Sequence, residues 1–252
     1  MTEAMDAEFD TVAEWTARVA TELGPDYYVP AGCRGSGSPA ALDWLIDELG
    51  LSTNETLLDS GAGVGGPAGY AAQKVDVSPL LVEPEAGGCR AAMTLFGFPT
   101  VQAVGSALPF ADAVFDAAWS LGVLCTTHDQ LDLLRELRRT VRAPGRIGLL
   151  VFVARTPVSS KQPEGNNFPT PDGLTAMVEE AALEIVTWRS TADLPAAPQE
   201  WDERVDAVTD ALEARYGTTQ AWRVAQRQSK QIADLLSEGS VTGELVVLRH
   251  AS

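Results

Sequence analysis

Residues 57–66 read Leu57-Leu58-Asp59-Ser60-Gly61-Ala62-Gly63-Val64-Gly65-Gly66, an apolar run ending in an acid and then four glycines in six positions. Glu55 to Asp59 reads as a short buried strand, Gly61 to Gly66 as a tight turn, and Pro67 as the opening of a helix. Gly61, Gly63 and Gly66 satisfy a GxGxxG spacing, which lets backbone approach a ligand without Cβ interference but is shared by many nucleotide-binding turns. Asp59 narrows the choice: a carboxylate at the strand end repels a pyrophosphate and suits a cationic or amine-bearing ligand. The next strand, Pro79 to Glu83, ends in a second acid 24 residues after Asp59, where doubly wound sheets place a carboxylate on ribose hydroxyls.

Outward from this turn the chain alternates strands and helices. Ala86 to Phe96 reads as a helix, Thr100 to Val104 and Val114 to Ser120 as strands, Asp129 to Arg142 as a helix, and Arg146 to Ala154 as a central strand. Such alternation implies parallel units with right-handed crossovers. Upstream, an acidic amphipathic helix with Phe9, Val12, Ala13, Val19, Ala20 and Leu23 on one face stops at Gly24-Pro25. After the Gly/Ser-rich stretch Gly32 to Ser38, Ser38 is the expected N-cap of a helix ending at Gly50. Downstream come a helix at Pro171 to Ala182 and a strand at Leu183 to Arg189. Two amphipathic helices follow, carrying Trp201, Tyr216 and Trp222, and then a last strand, Glu244 to Arg249. The expected organisation is one domain over 1–252: N-terminal helices at 1–50, a cofactor-binding core at 51–155 and a helical lid insertion at 195–240.

Composition excludes several partners. The 252 residues carry 18 Lys+Arg against 35 Asp+Glu, a net charge of −17, so no basic surface is on hand for nucleic acid or an anionic membrane. The acidic N-terminus and the lack of an eighteen-residue apolar stretch speak against a signal peptide or a membrane span. Cys33, Cys89 and Cys125 form no CxxC pair and cannot all pair as disulfides, so a reduced, cytoplasmic setting is expected. With two histidines and no paired Cys/His spacing, no metal site is expected.

Taken together, the motifs resemble the class I S-adenosylmethionine-dependent methyltransferases, small-molecule branch. The turn from Asp59 to Gly65 matches their DxGxGxG motif, and Glu83 matches their ribose acid. Leu108-Pro109-Phe110 with Asp112 and Phe115-Asp116 matches LPFxDxxFD, and Leu134 to Arg139 followed by Pro144-Gly145 matches the helix and turn before strand five. The resemblance covers about residues 35 to 155. It implies a doubly wound, Rossmann-like α/β sheet of seven strands, mostly parallel with an antiparallel C-terminal strand, and S-adenosyl-L-methionine as cofactor. Carried over residue by residue, it places Asp59, Gly61, Ala62, Gly63, Glu83, Pro84, Gly105, Ser106, Ser120 and Leu121 at the cofactor. Arg34 is a candidate for the cofactor's carboxylate and reads equally well as a surface arginine. Two positions depart from the pattern. Val104 stands where the family commonly has the Asp that accepts from the adenine amine, and Thr126 stands where it often has a His, with His128 two residues on. His128 is the candidate catalytic base, against the reading that it merely precedes a helix; Cys125 has no evident activating partner. The implied activity is methyl transfer to a small, partly hydrophobic organic acceptor. A nicotinamide-dependent oxidoreductase is disfavoured by Asp59 and the helical lead-in. A cofactor-binding protein without transfer, cyclase-like or an interaction protein, draws support from Val104.

Overall fold

In the computed structural model, residues 6–158 and 162–251 are described. The strands are β1 (Thr56–Ser60), β2 (Ser78–Glu83), β3 (Thr100–Gln102), β4 (Ala117–Leu121), β5 (Arg146–Ala154), β6 (Leu183–Ser190) and β7 (Val241–His250). They form one seven-stranded sheet in the order β3-β2-β1-β4-β5-β7-β6. β1 to β5 pair in parallel, whereas β7 runs antiparallel to both β5 and β6. The expected Rossmann-like sheet with an antiparallel C-terminal strand is the observed one.

Nine α-helices accompany the described strands: α1 (Ala13–Leu23), α2 (Tyr28–Gly32), α3 (Pro39–Leu49), α4 (Gly66–Val75), α5 (Ala86–Phe96), α6 (Gln130–Thr140), α7 (Pro171–Glu180), α8 (Gln199–Tyr216) and α9 (Gln220–Ser237). The period of two along β1 explains the layering. Leu57 faces Leu42, Leu45 and Ile46 of α3, while Leu58 faces Leu133, Leu134 and Leu137 of α6, so both faces of the sheet are covered. Gly148 on β5 leaves room for Leu45 and Leu49, whose methyl carbons lie 3.1 and 3.2 Å from where a Cβ would stand. A third cluster joins Val12, Ala13, Ala17 and Ala20 to Leu212 and Trp222, so the N-terminal helix and the α8–α9 pair pack on each other. Tyr216 stacks on Trp15 at 4.0 Å and Trp201 meets Tyr70 edge-on at 6.3 Å.

Element boundaries fall as the sequence predicts where a cap or glycine fixes them. Ser38 accepts from the Ala41 amide, and Gly50 ends α3 in the left-handed region. Several boundaries differ from expectation: β3 stops at Gln102, short of Val104, β7 begins at Val241, ahead of Glu244, and α2 is not among the expected elements. The N-terminal helix is wound more widely over Asp6–Val12 before becoming α-helical. Val114 and Phe115 stay outside β4 because the end of α6 takes up their backbone: both amides donate to the Thr140 carbonyl, at 2.9 and 3.1 Å, while Arg142 donates its amide to the Phe115 carbonyl and its guanidinium to the Val114 carbonyl. Phe115 keeps one isolated bridge, to Val141. No described helix is long and apolar enough to cross a membrane.

Candidate cofactor site

The strand order reverses between β1 and β4, and the loops leaving their carboxyl ends open a crevice there, the usual place for a ligand in an open α/β sheet. A cavity of about 350 Å³ fills it. The glycine turn forms its floor and is tied to β2 by the Gly61 and Ala62 amides, which donate to the Val82 carbonyl at 2.8 and 3.0 Å. Glu83 ends β2 at the cavity wall and is 3% exposed. Its Oε2 accepts from the Gly63 amide at 2.8 Å and its Oε1 from the Glu85 amide at 3.0 Å. One carboxylate thus fixes the turn and the entrance to α5, and each oxygen keeps a lone pair for a hydroxyl. Burial pushes the Glu83 carboxyl up to about 7, against the pull of the Glu85 and Gly63 amides.

The structure sorts the expected cofactor residues into two groups. Gly61, Gly63, Glu83, Pro84, Gly105, Ser106 and Leu121 line the cavity. Asp59, Ala62 and Ser120 lie beneath it: all three are buried, and none is in the lining. This corrects the expectation that Asp59 meets a cationic ligand directly. Its carboxyl sits under the turn, raised to about 7 by burial and by the charge of Glu83, with Trp119 and the Ala68 amide opposing. Ser120 donates to the Ser60 carbonyl at 2.9 Å and so joins β4 to the turn.

The two upstream and downstream motifs prove to be one device. Glu136 on α6 accepts from the Leu108 amide at 2.7 Å, and Arg139 donates to the carbonyls of Leu108 and Phe110 and to Asp112. The helix thereby holds the loop whose Val104, Gly105 and Ser106 form one wall. Val104 is 50% exposed there, so no side-chain acceptor faces that wall at the position.

His128 is not brought to the cavity. It is exposed, while Thr127 and Asp129 on either side line the wall. Asp129 precedes α6 without capping it. Cys125 lines the cavity, but burial pushes its thiol up to about 12, which leaves it without a reactive thiolate. Arg34 lines the wall with its guanidinium 5.9 Å from the centre of the Trp222 ring. Sequence reasoning missed Val12, Thr16, Asn166 and Gln228 as cavity residues. Helical periodicity marks the face of α1 correctly as apolar, but cannot say that part of it borders a cavity and not solid core.

The donors and space fit an adenosyl cofactor. Glu83 presents acceptors for a ribose, and a Cβ built on Gly63 meets no atom within 4 Å. Residues 58–149 match the methyltransferase-domain family. That stretch is therefore a methyltransferase domain. S-adenosylmethionine is accordingly its cofactor, with Glu83 and the Gly61–Gly63 turn as the residues that would hold it. The domain is similar to the methyltransferase GfsG of Streptomyces halstedii, at 27% identity over 161 residues, 56% of this chain and 57% of that protein. The match thus spans little more than half of the curated relative. Among solved structures, the 4+2 cyclase SpnF shares the fold with a TM-score of 0.65 at 20% identity, over 83% of this chain and 79% of that one. Geranyl diphosphate C-methyltransferase from Streptomyces coelicolor, solved with S-adenosyl-L-homocysteine, does so with a TM-score of 0.61 at 16% identity, over 84% and 77%.

Proposed function

We propose that this chain transfers a methyl group from S-adenosylmethionine to a small, partly hydrophobic organic acceptor in a reducing, cytoplasmic setting. The observation that carries the reading is Glu83, buried at the cavity wall with one oxygen holding the glycine turn and the other the entrance to α5. When bound, the cofactor supplies a methyl group activated on a sulfonium. The chain's own contribution is then alignment and exclusion of water. Phe9, Val12, Phe152 and Ile232 give the cavity an apolar wall beyond the cofactor residues. No histidine, lysine or tyrosine lines it among the described residues, and Glu83, the lining carboxyl raised into the neutral range, is committed to the turn and the ribose, so catalysis is assigned to positioning.

Incubation with methyl-labelled cofactor and extracted metabolites is expected to give one labelled product class. Normal S-adenosylhomocysteine binding without any transfer would favour the second reading, a cofactor-binding protein without transfer, which Val104 supports. For the labelled reaction, His128→Ala should cost less than about threefold in kcat, because the side chain is exposed and outside the lining. General-base catalysis is typically worth about 10²–10⁴-fold, so a hundredfold loss in a folded variant that still binds cofactor would restore His128 as the base.

A further inference from the structure

The period of two along β5 puts Gly148, Leu150 and Phe152 on one face of the sheet. α3 covers the first two: Leu45 and Leu49 fill the space over Gly148, and Leu150 packs in the same cluster. Phe152 lies beyond that cover. Every other residue of β5 after Arg146 is buried, whereas Phe152 is half-buried and lines the cavity. Of the strands, β2, β4 and β5 reach the cavity wall, through Glu83, Leu121 and Phe152, and β7 adds no described residue to it. Phe152 is therefore the last strand residue along the cavity, three strand spacings or about 14 Å from Glu83. Its ring also packs against a buried cluster that includes Ala154, Phe168, Leu235 and Val241, none of which lines the cavity. The ring is thus the partition between the two.

An aromatic ring open to a cavity keeps apolar area in contact with water, and a ligand that covers the ring removes it. The surroundings of Phe152 suit an apolar ligand. α9 adds Ala225 and Ile232 to the wall, and the N-terminal segment adds Phe9 and Val12. The carboxamide oxygens of Asn166 and Gln228 are buried out of reach and add no acceptor. Arg34 is the one cation on the wall among the described residues and already lies over Trp222, so an anion has little to meet. A nucleoside held by Glu83 takes the opposite end of the cavity. We infer that Phe152 is the specificity-determining residue for the acceptor: the apolar end of an uncharged molecule lies against its ring, which sets how far that end can extend. This assignment rests on the methyltransferase reading and names the residue that selects the substrate for it.

Straight-chain primary alcohols of four to ten carbons are uncharged rulers for such a wall. With the full chain saturated by S-adenosylhomocysteine, ligand-observed NMR titration should show affinity rising about fourfold per added carbon, the worth of one buried methylene. The rise should stop at the length that meets the ring. Phe152→Ala removes the partition, so the rise should continue for at least two further carbons. Phe152→Leu keeps an apolar side chain and the fold, and should move the limit by about one carbon even if the alanine variant proves too unstable to titrate. Both variants should bind S-adenosylhomocysteine within about twofold of the parent, because Glu83 lies three strands away. A limit that stays at the parent length in the variants overturns the assignment. So does a parent protein whose affinity ignores chain length, or rises without limit to ten carbons. Weakened S-adenosylhomocysteine binding in Phe152→Leu also overturns it, by placing the ring at the cofactor. Failure of the parent protein to bind S-adenosylhomocysteine overturns the cofactor reading and this proposal with it; normal nucleoside binding with no movable length limit overturns the proposal alone.

Discussion

Glu83→Gln should raise the dissociation constant for S-adenosylhomocysteine by about tenfold to a hundredfold, measured by calorimetry at pH 8. The carboxylate accepts from the Gly63 and Glu85 amides with separate oxygens and offers its remaining lone pairs to the cavity. A carboxamide has one acceptor oxygen, so its NH2 must face one of those two amides, donor against donor. The variant loses a charge-assisted acceptor for the ribose, worth roughly 1.5–3 kcal/mol, and distorts the turn that cradles the rest. The same carboxyl dictates a pH dependence. Burial raises Glu83 from 4.5 to about 7 and Asp59 from 3.8 to about 7. Both acids take up a proton more readily in the folded chain than in the unfolded one. Their contribution to the unliganded protein's stability is therefore full below about pH 4 and is lost as pH rises through about 7. Ribose binding needs the carboxylate and runs the other way. Affinity should weaken as pH falls from 8 to 6, approaching tenfold per unit below the Glu83 pKa, and Glu83→Gln should flatten that slope. An affinity unchanged by the substitution and by pH would remove the ribose assignment.

The strand ends and the glycine turn are legible in the sequence because their chemistry is local. An apolar strand that ends at the crevice must end in a residue that tolerates it, as Glu83 does on β2, while Asp59 stands one residue before the end of β1. The two-faced burial of β5 can be read from its unbroken apolar run for the same reason. What cannot be read depends on distant partners. Val114 and Phe115 have strand-forming side chains, yet Thr140 and Arg142 claim their backbone from the end of α6. Asp59 reads as a ligand contact because sequence gives its position on the strand but not the side toward which it points; β1 turns it beneath the floor, beside Trp119. Asn166 and Gln228 lie 62 positions apart, and only the passage of α9 over the loop after β5 brings them to one wall. Nothing local to either residue marks that meeting.

The glycine turn itself shows how one motif can hide different physical demands, and two substitutions separate them. Gly66 opens α4 directly against α2. A Cβ built there lies 2.2 Å from the Gly32 carbonyl carbon and 2.5 Å from the Cys33 amide nitrogen, both backbone atoms that cannot swing aside. Gly66→Ala must push α2 away from α4, and disturb with it the packing of α1 and α8 on α2. Overpacking of this kind costs about 1–3 kcal/mol or more, which for a chain of this size lowers Tm by roughly 5–10 °C. Gly63 has the opposite surroundings. Its φ is 53°, left-handed but accessible to alanine at about 1–2 kcal/mol, and no atom lies within 4 Å of an added Cβ. Because Gly63 lines the cavity, that methyl occupies space the cofactor needs. Gly63→Ala should therefore fold with a Tm only a few degrees lower and bind S-adenosylhomocysteine at least about tenfold more weakly. Gly61 is intermediate: its added Cβ meets Val123 Cγ2 at 2.3 Å, a side chain able to move, so Gly61→Val disturbs the wall before it reaches the cofactor. Thermal melts and calorimetry on Gly66→Ala and Gly63→Ala decide the matter. If Gly63→Ala binds as tightly as the parent chain while Gly66→Ala melts normally, the turn is neither a cradle nor a packing joint, and the cofactor must lie elsewhere along the cavity.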